Sequence, residues 1–504
     1  MKTQDLKGLG YVRKGASNLL TTEEIKAFLD EDRSSFLKQK AREGQDYYEG
    51  RHDILNYRLF YYGNNDELVE DKLRSNVKIP HQFYTELVDQ ATQHILSGDE
   101  QIFRSDNTEL QKELDRYFNC NECFMSELAE TITGQQAKGF DYMYAYIGED
   151  NKLVFENADC LGVVEVEGRF ADDGKDQYIW KYVDRVDKEG KKQFKILVID
   201  DENTYYYTQE DSGDIKFDKS IKLNPRPHAL YERKGKLYTK DFNALPFFRL
   251  DFNKKRHSLL KSVKPLIDDY DLMASSLSNN LIDFDTPLHI VKGFQGDNLD
   301  QLQQNLKTKK LIGVDEEGGV EVHTVDIPYA ARVAKLELDE KNIYRFGMGL
   351  NIAGLRDTTA TTNLAIKVAY ALLDLRCSKI ITELKKFLRK ILKLVIAEIN
   401  EQNGTDYRVD MVYFHFEPAT MANETENAQI KLTEAQEQQF RINTLLSLTA
   451  QLGNELVVKE ICSALDLEYE EIKNMLPDPD EAYNDLGNAQ NILEGAEIGG
   501  GIVE

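Results

Sequence analysis

The feature that most restricts this chain is a helical pattern from Asn363 to about Asn400, with apolar residues at Leu364, Val368, Leu372, Leu375, Ile380, Leu384, Phe387, Leu388, Ile391 and Val395. At about 1.5 Å per residue such a helix reaches roughly 57 Å. A pattern of that length predicts a coiled coil, a membrane span or a structural spine. Its most apolar stretch, Phe387 to Ile399, is broken by Arg389, Lys390 and Lys393, and no run approaches the ~18 apolar residues that a bilayer requires. A spine remains.

The rest of the chain divides around it. Residues up to about 140 read as helical: Thr21-Thr22-Glu23-Glu24 has the form of a capping start, with Ile25, Phe28 and Leu29 behind it. An Asn/Asp loop at Asn64, Asn65 and Asp66 precedes Pro80. A helix with Phe83, Leu87, Val88, Ala91 and Ile95 on one face then closes near Gly98, and another helical region opens at Asn107 and runs to about Gly139. The period next changes to short runs rich in Val, Ile, Tyr and Phe: Asp141–Ile147, Leu153–Glu156, Gly162–Glu167, Tyr178–Val186, Phe194–Ile199 and Thr204–Thr208. Polar turns such as Asp187-Lys-Glu-Gly190 separate them, which predicts an antiparallel meander rather than a parallel nucleotide-binding sheet. Asn224-Pro-Arg-Pro-His228 ends this region as a stiff extended segment.

Beyond Pro246 a helix is expected from about His257 to Phe284. An α/β insert follows at Asp285–Ile327, with strands at Leu288–Val291, Leu311–Val314 and Val320–Val325 around a short helix at Leu299–Leu306. Pro328 opens a second helix to about Phe346, and the glycine- and threonine-rich stretch Gly347–Thr362 reads as a mobile loop. After the spine, Arg408–Phe416 is expected as a strand. Helices follow over Glu424–Leu452, Glu455–Ala464 and Tyr469–Met475, and the end is acidic: Asp466 to Glu504 holds 11 acidic residues against Lys473 alone. The fold class predicted is α+β.

Composition limits the chemistry. With 63 basic and 88 acidic residues the chain carries a formal charge of −25, so a free monomer repels a polyphosphate instead of wrapping it. Its five cysteines are too scattered for a disulfide scaffold and fit a reducing compartment. Cys120-Asn-Glu-Cys123 lacks the second pair that a zinc site needs. The polar stretch Met1–Gly15 has no apolar core of a signal peptide. Gly168–Gly174 with Lys175 and Asp176 misses a phosphate-binding loop by one residue of spacing and by the absent Ser or Thr. The eight histidines are isolated; His81 and His228 read as capping or core-edge residues. Paired acids, Asp283/Asp285 and Asp478/Asp480, read as solvated charge. No catalytic residue, metal or cofactor is expected. Local basic clusters remain: Lys254, Lys255, Arg256, Lys261 and Lys264 at the start of the first flanking helix, and Lys307, Lys309 and Lys310 in the insert. Such runs serve as solvated faces, subunit contacts or phosphate contacts.

The order of these elements, together with Leu87-Val88-Asp89-Gln90, Asn224-Pro225-Arg226-Pro227-His228, Asp326-Ile327-Pro328 and Tyr370-Ala-Leu-Leu-Asp-Leu375, resembles the portal, or head–tail connector, family of tailed phages in its siphophage branch, over roughly residues 45 to 465. The resemblance implies a non-enzymatic ring, commonly a dodecamer, at one capsid vertex of the virion. It is assembled in the host cytoplasm and carries double-stranded DNA during packaging and ejection. It also implies a division into a wing (1–250), stem helices (251–284 and 328–346), a clip (285–327), a tunnel loop (347–362), the spine with a wing strand (363–422), crown helices (423–476) and an acidic, partly disordered tail (477–504). Partners implied are further copies of the chain, the terminase large subunit, a head-completion or adaptor protein, and the major capsid and scaffolding proteins, with no membrane. On that likeness Asn351, Arg356, Thr358, Thr359 and Thr361 touch phosphate in the tunnel, with the basic clusters as weaker contacts. A minor capsid or baseplate component, or an enzyme with a scattered site, are the other readings.

Overall fold

The computed structural model describes residues 20–461, except 64–65, 73, 99–100, 149–151, 168–174, 201–202, 212, 222, 234–235, 241, 243–244, 285–287, 295–313, 324–327, 352–362, 417–423, 448–455 and 458. It is mixed helix and antiparallel sheet, the expected α+β class. Two compact units divide the chain: residues 1–357 with 368–420, and residues 358–367 with 421–504.

Helix α1 (Thr22–Ser34) begins in a complete capping box: Glu24 N donates to Thr21 Oγ1 at 3.2 Å, and Thr21 N donates to Glu24 Oε2 at 2.8 Å. Ser35 then caps α2 (Phe36–Tyr48). A hairpin the sequence reading did not foresee, β1 (Phe60–Tyr62) with β2 (Leu68–Glu70), flanks the Asn/Asp turn. Helix α3 (Phe83–Leu96) and strand β3 (Phe103–Arg104) follow. Asn107 caps α4 (Thr108–Leu114), whose path continues as a π-turn over Asp115–Asn119. Helix α5 (Glu122–Lys138) is capped by Asn121 and closed by Gly139 in the left-handed region, φ 98°.

The meander is present but is not one sheet. Strand β4 (Phe140–Ile147) pairs on one side with β5 (Leu153–Ala158) and on the other with the distant β14 (Phe247–Asp251), making a three-stranded sheet. Strands β6 (Val163–Glu167), β7 (Lys175–Val186), β8 (Lys192–Ile199), β9 (Asn203–Glu210) and β10 (Lys216–Phe217) form the second sheet, and β11 (Arg226–Pro227) joins it on β9. A separate hairpin, β12 (Ala229–Arg233) with β13 (Lys236–Lys240), also lay beyond the sequence reading.

Alternation along the second sheet explains how it is held. Tyr178, Trp180, Leu197 and Ile199 face the aromatic side of the first sheet, packing with Tyr142, Tyr144 and Phe247. The intervening Ile179, Ile196 and Val198 face the other way and are covered by Ile25, Phe28 and Leu29 of α1. Lys38 crosses this layer as a buried cation, donating to the carbonyls of Cys160 and Val163 and pairing with Asp32 at 3.0 Å.

Helix α6 (Leu260–Phe284) starts three residues later than expected, because the chain first makes a turn after β14. Hairpin β15 (Leu288–Phe294) with β16 (Val314–His323) follows. Here β16 continues across Gly318-Gly319, which the sequence reading left between two strands, with a shift of register between Gly319, opposite Lys292, and Val314, opposite Phe294; glycine inside a strand often marks such an irregularity. The expected helix at 299–306 and most of the strand Leu311–Val314 lie outside the described residues. Pro328 sits at the cap position, one residue before α7 (Tyr329–Gly347). Leu260, Val263 and Ile267 of α6 pack with Ile343 and Tyr344 of α7, whereas Asp269 meets Lys335, so the two helices run antiparallel.

The spine, α8 (Asn363–Asn403), has 41 residues. The expected strand after it is mostly a 3₁₀ turn at Val409–Met411, and only β17 (Tyr413–Phe414) pairs, with β3. In the second unit α9 (Glu424–Ser447) matches the expected helix, and Leu456–Val457 and Lys459–Ile461 are helical. The expected helix at 469–475 and the acidic end lie outside the described residues. No described helix is long and apolar enough to cross a membrane.

Candidate functional site

The basic segment between β14 and α6 is built on the end of α5. Phe252 N donates to Gly139 O at 2.9 Å and Leu259 N to Gln136 O at 3.1 Å. A Cβ at Gly139 would stand 2.3 Å from the Arg256 carbonyl oxygen, so this seat requires glycine. Asn253 organises the turn: its Oδ1 accepts from Lys255 N and His257 N at 3.1 Å each, and its Nδ2 donates to His257 O at 2.6 Å. Lys254 and Lys255 therefore project from a fixed turn and are exposed, as is Lys261 on α6.

The other two cations of that cluster have internal partners. Arg256 lies 3.4 Å from Glu165 and 3.7 Å from Asp251, beside Arg249, which shares both carboxylates; its guanidinium also covers the Phe140 ring. Lys264 contacts Asp53, lies 3.0 Å from Asp268, and donates to Tyr47 Oη at 2.9 Å. Burial works against that ammonium, but these acceptors outweigh it and hold its pKa above the usual lysine value. Charge counting could not separate these two residues from their exposed neighbours. Lys307, Lys309 and Lys310 lie outside the described residues.

Of the expected tunnel residues, Asn351 is described: half-buried, its Nδ2 donates to Glu340 Oε1 at 3.2 Å. Arg356, Thr358, Thr359 and Thr361 fall outside the described residues. The root of the loop is well held. Gln90 pairs with the Leu350 backbone at both ends of its amide, accepting at 3.0 Å and donating at 2.9 Å, and Tyr344 Oη donates to Glu86 at 2.6 Å. Arg376 of α8 donates to the carbonyls of Gly347 and Leu87. The sequence reading missed Arg376; the available signal was a charge on the apolar stripe of the spine, next to Leu373, Cys377 and Ile380.

Other titratable clusters have structural roles. Asp271 of α6 is buried and accepts from His52 Nδ1 at 2.6 Å, and from His81 Nδ1 at 2.8 Å and His81 N at 2.9 Å. Burial alone would raise its pKa; the three donors reverse that and hold it below the ordinary aspartate value. Asp141, Asp159 and Cys160 gather three possible ligand atoms within 4.8 Å. The Lys138 ammonium lies among them, 3.0 Å from Asp141 and 2.8 Å from Asp159, so the group is an ion-pair network. Cys120 and Cys123 are free and exposed.

A fold alone does not fix a function, and the comparisons with known proteins add what the geometry leaves open. The family description "Phage portal protein, SPP1 Gp6-like" matches residues 30–477. The chain is 25% identical to the portal protein of Bacillus phage SPP1 over 420 residues, covering 81% of this chain and 80% of that one. It is 29% identical over 198 residues to the portal protein of Clostridium phage phiCD119, covering 38% of this chain and 42% of that one. The chain belongs to the phage portal protein family, whose members are structural, non-enzymatic components of the virion.

Proposed function

We propose that the chain closes head-to-tail into a ring, commonly a dodecamer, at one capsid vertex, and that double-stranded DNA passes through the ring during packaging and ejection. The observation that carries this reading is the portal family match over residues 30–477. A ring is built from one repeated heterologous contact that closes, and the 41-residue spine and the packed sheets offer continuous surfaces for it. A conduit must also hold its cargo weakly. Each neutralised phosphate adds affinity through counterion release, and a chain with a net charge of −25 keeps such contacts few.

In this reading residues 1–250 and the spine with its following strand (363–422) form the wing, α6 and α7 the stem, and 285–327 the clip, where the terminase large subunit and then an adaptor protein dock. Residues 423–476 form the crown, ahead of the acidic tail. Capsid and scaffolding proteins surround the wing, and assembly takes place in the host cytoplasm. The loop 347–362 faces the duplex through Asn351, Arg356, Thr358, Thr359 and Thr361. Exposed Lys254, Lys255 and Lys261, with Lys307, Lys309 and Lys310, make rarer phosphate contacts, to which Arg256 and Lys264 add local positive field.

Negative-stain images of the purified protein test the ring: particles with an axial hole are expected, and a chain that stays monomeric under every assembly condition would remove it. Arg356→Glu tests the loop, with fewer DNA-filled heads as the expected result.

A further inference from the structure

Arg376 is 2% exposed. Buried cations are ordinarily paired with an anion, yet no carboxylate among the described residues pairs with this one. Its Nη1 donates to Gly347 O at 2.8 Å, its Nη2 donates to Leu87 O, and its Nε has no partner. The counter-charge is therefore carried by backbone. Gly347 ends α7, where unsatisfied carbonyls concentrate partial negative charge. Burial lowers the guanidinium pKa to about 10, which leaves it charged at neutral pH.

The same few residues are gripped from α3. A Cβ on Gly347 or Gly349 would stand 2.6 or 2.2 Å from the Leu87 methyls, so both glycines admit Leu87 against the chain. Beyond them Gln90 pairs with the Leu350 backbone in both directions, and Met348 turns in the left-handed region, φ 52°.

We propose that Arg376 and Gln90 form a clamp that fixes where and in which direction the chain leaves α7, with Arg376 as the positioning residue that ties the loop root to the spine. The value of the clamp to DNA passage rests on the reading of 347–362 as a duplex-facing loop; the clamp itself does not.

Arg376→Met keeps the bulk and removes the charge and donors. In the full-length protein, amide hydrogen exchange of residues 347–351 should then rise about tenfold or more, the loss expected for charge-assisted hydrogen bonds, while exchange of Leu384–Ile399 stays put. Arg376→Lys, able to reach one carbonyl, should fall between. Gln90→Leu, which leaves no buried charge uncompensated, should release Leu350 alone and guards against an Arg376→Met chain that does not fold. Unchanged exchange at 347–351 in both Arg376→Met and Gln90→Leu would overturn the clamp. DNA-filled head yield separates the two readings: a fall in Arg376→Met heads supports the positioning role. Faster exchange with undiminished yield in Arg376→Met, together with undiminished yield in Arg356→Glu, would overturn the role of the loop and leave the clamp standing.

Discussion

Two apolar faces of the spine meet different fates. From Ile380 onward, Leu384, Phe387, Leu388, Ile391 and Val395 are all buried by the chain itself. Tyr370, Leu373 and Cys377 in the preceding turns continue that buried stripe, whereas Val368, Leu372 and Leu375, on another face of the same turns, remain 67%, 40% and 51% exposed. The contrast recurs elsewhere. The middle of the second sheet is covered on both faces, whereas Leu281 and Ile282 at the end of α6, and Tyr329, Leu338 and Phe346 on α7, stand in the open. Periodicity therefore announces which residues favour burial without saying whose atoms bury them. Grouped apolar surface of this kind marks contact with another macromolecule, and in the proposed ring the next copy supplies it.

Substitutions should separate the faces. Phe387→Ala, on the self-covered face, should cost about 3–5 kcal/mol of the chain's own stability, read as a lower urea midpoint; a loss under ~1 kcal/mol would erase the distinction. Asp271→Asn tests the junction of α6 with His52 and His81 and should cost about 1–3 kcal/mol, since two histidines lose a charged acceptor. Because the Asp271 pKa is held below its unfolded value, its contribution is present above the ordinary carboxylate range and disappears as pH falls through the lower, folded-state value. The stability gap between Asp271→Asn and the parent should thus be wide at pH 7 and close under acid; a gap that stays constant with pH would mean the carboxylate charge is not what matters. The smallest change in fold stability belongs to the open face: Leu375→Ser should alter the urea midpoint by no more than the equivalent of about 0.5 kcal/mol, yet reduce the fraction sedimenting as rings. Loss of monomer stability with normal rings would invert the comparison.

What could be read in advance was local. The capping box at Thr21, the cap at Asn107 and the strands between 140 and 210 each carry their signal within a few residues, and the structure has them. What escaped was non-local or depended on partners. Strand β4 pairs with β14 a hundred residues on (Phe140 opposite Asp251), and nothing in the meander announces it. Tyr413–Phe414 pairs as a strand, while Val409–Met411, equally apolar in part, closes a 3₁₀ turn. At the candidate site the basic cluster was visible but its division was not: Asp251 and Glu165 come to Arg256, and Asp53 to Lys264, from other elements, and Asp268, one turn beyond Lys264 on the same helix, is the one local partner among them. Arg376 was hidden for the opposite reason, since its acceptors are backbone oxygens that no sequence spells out.

The antiparallel pairing of α6 and α7 has a mechanical corollary. Both rails run to the same hairpin, so a sideways push there becomes tension along one helix and compression along the other. Relative sliding is resisted where Lys335 bridges Asp269 and Asp339. Force delivered at the tip would thus load the packed contact of the two helices near Tyr344.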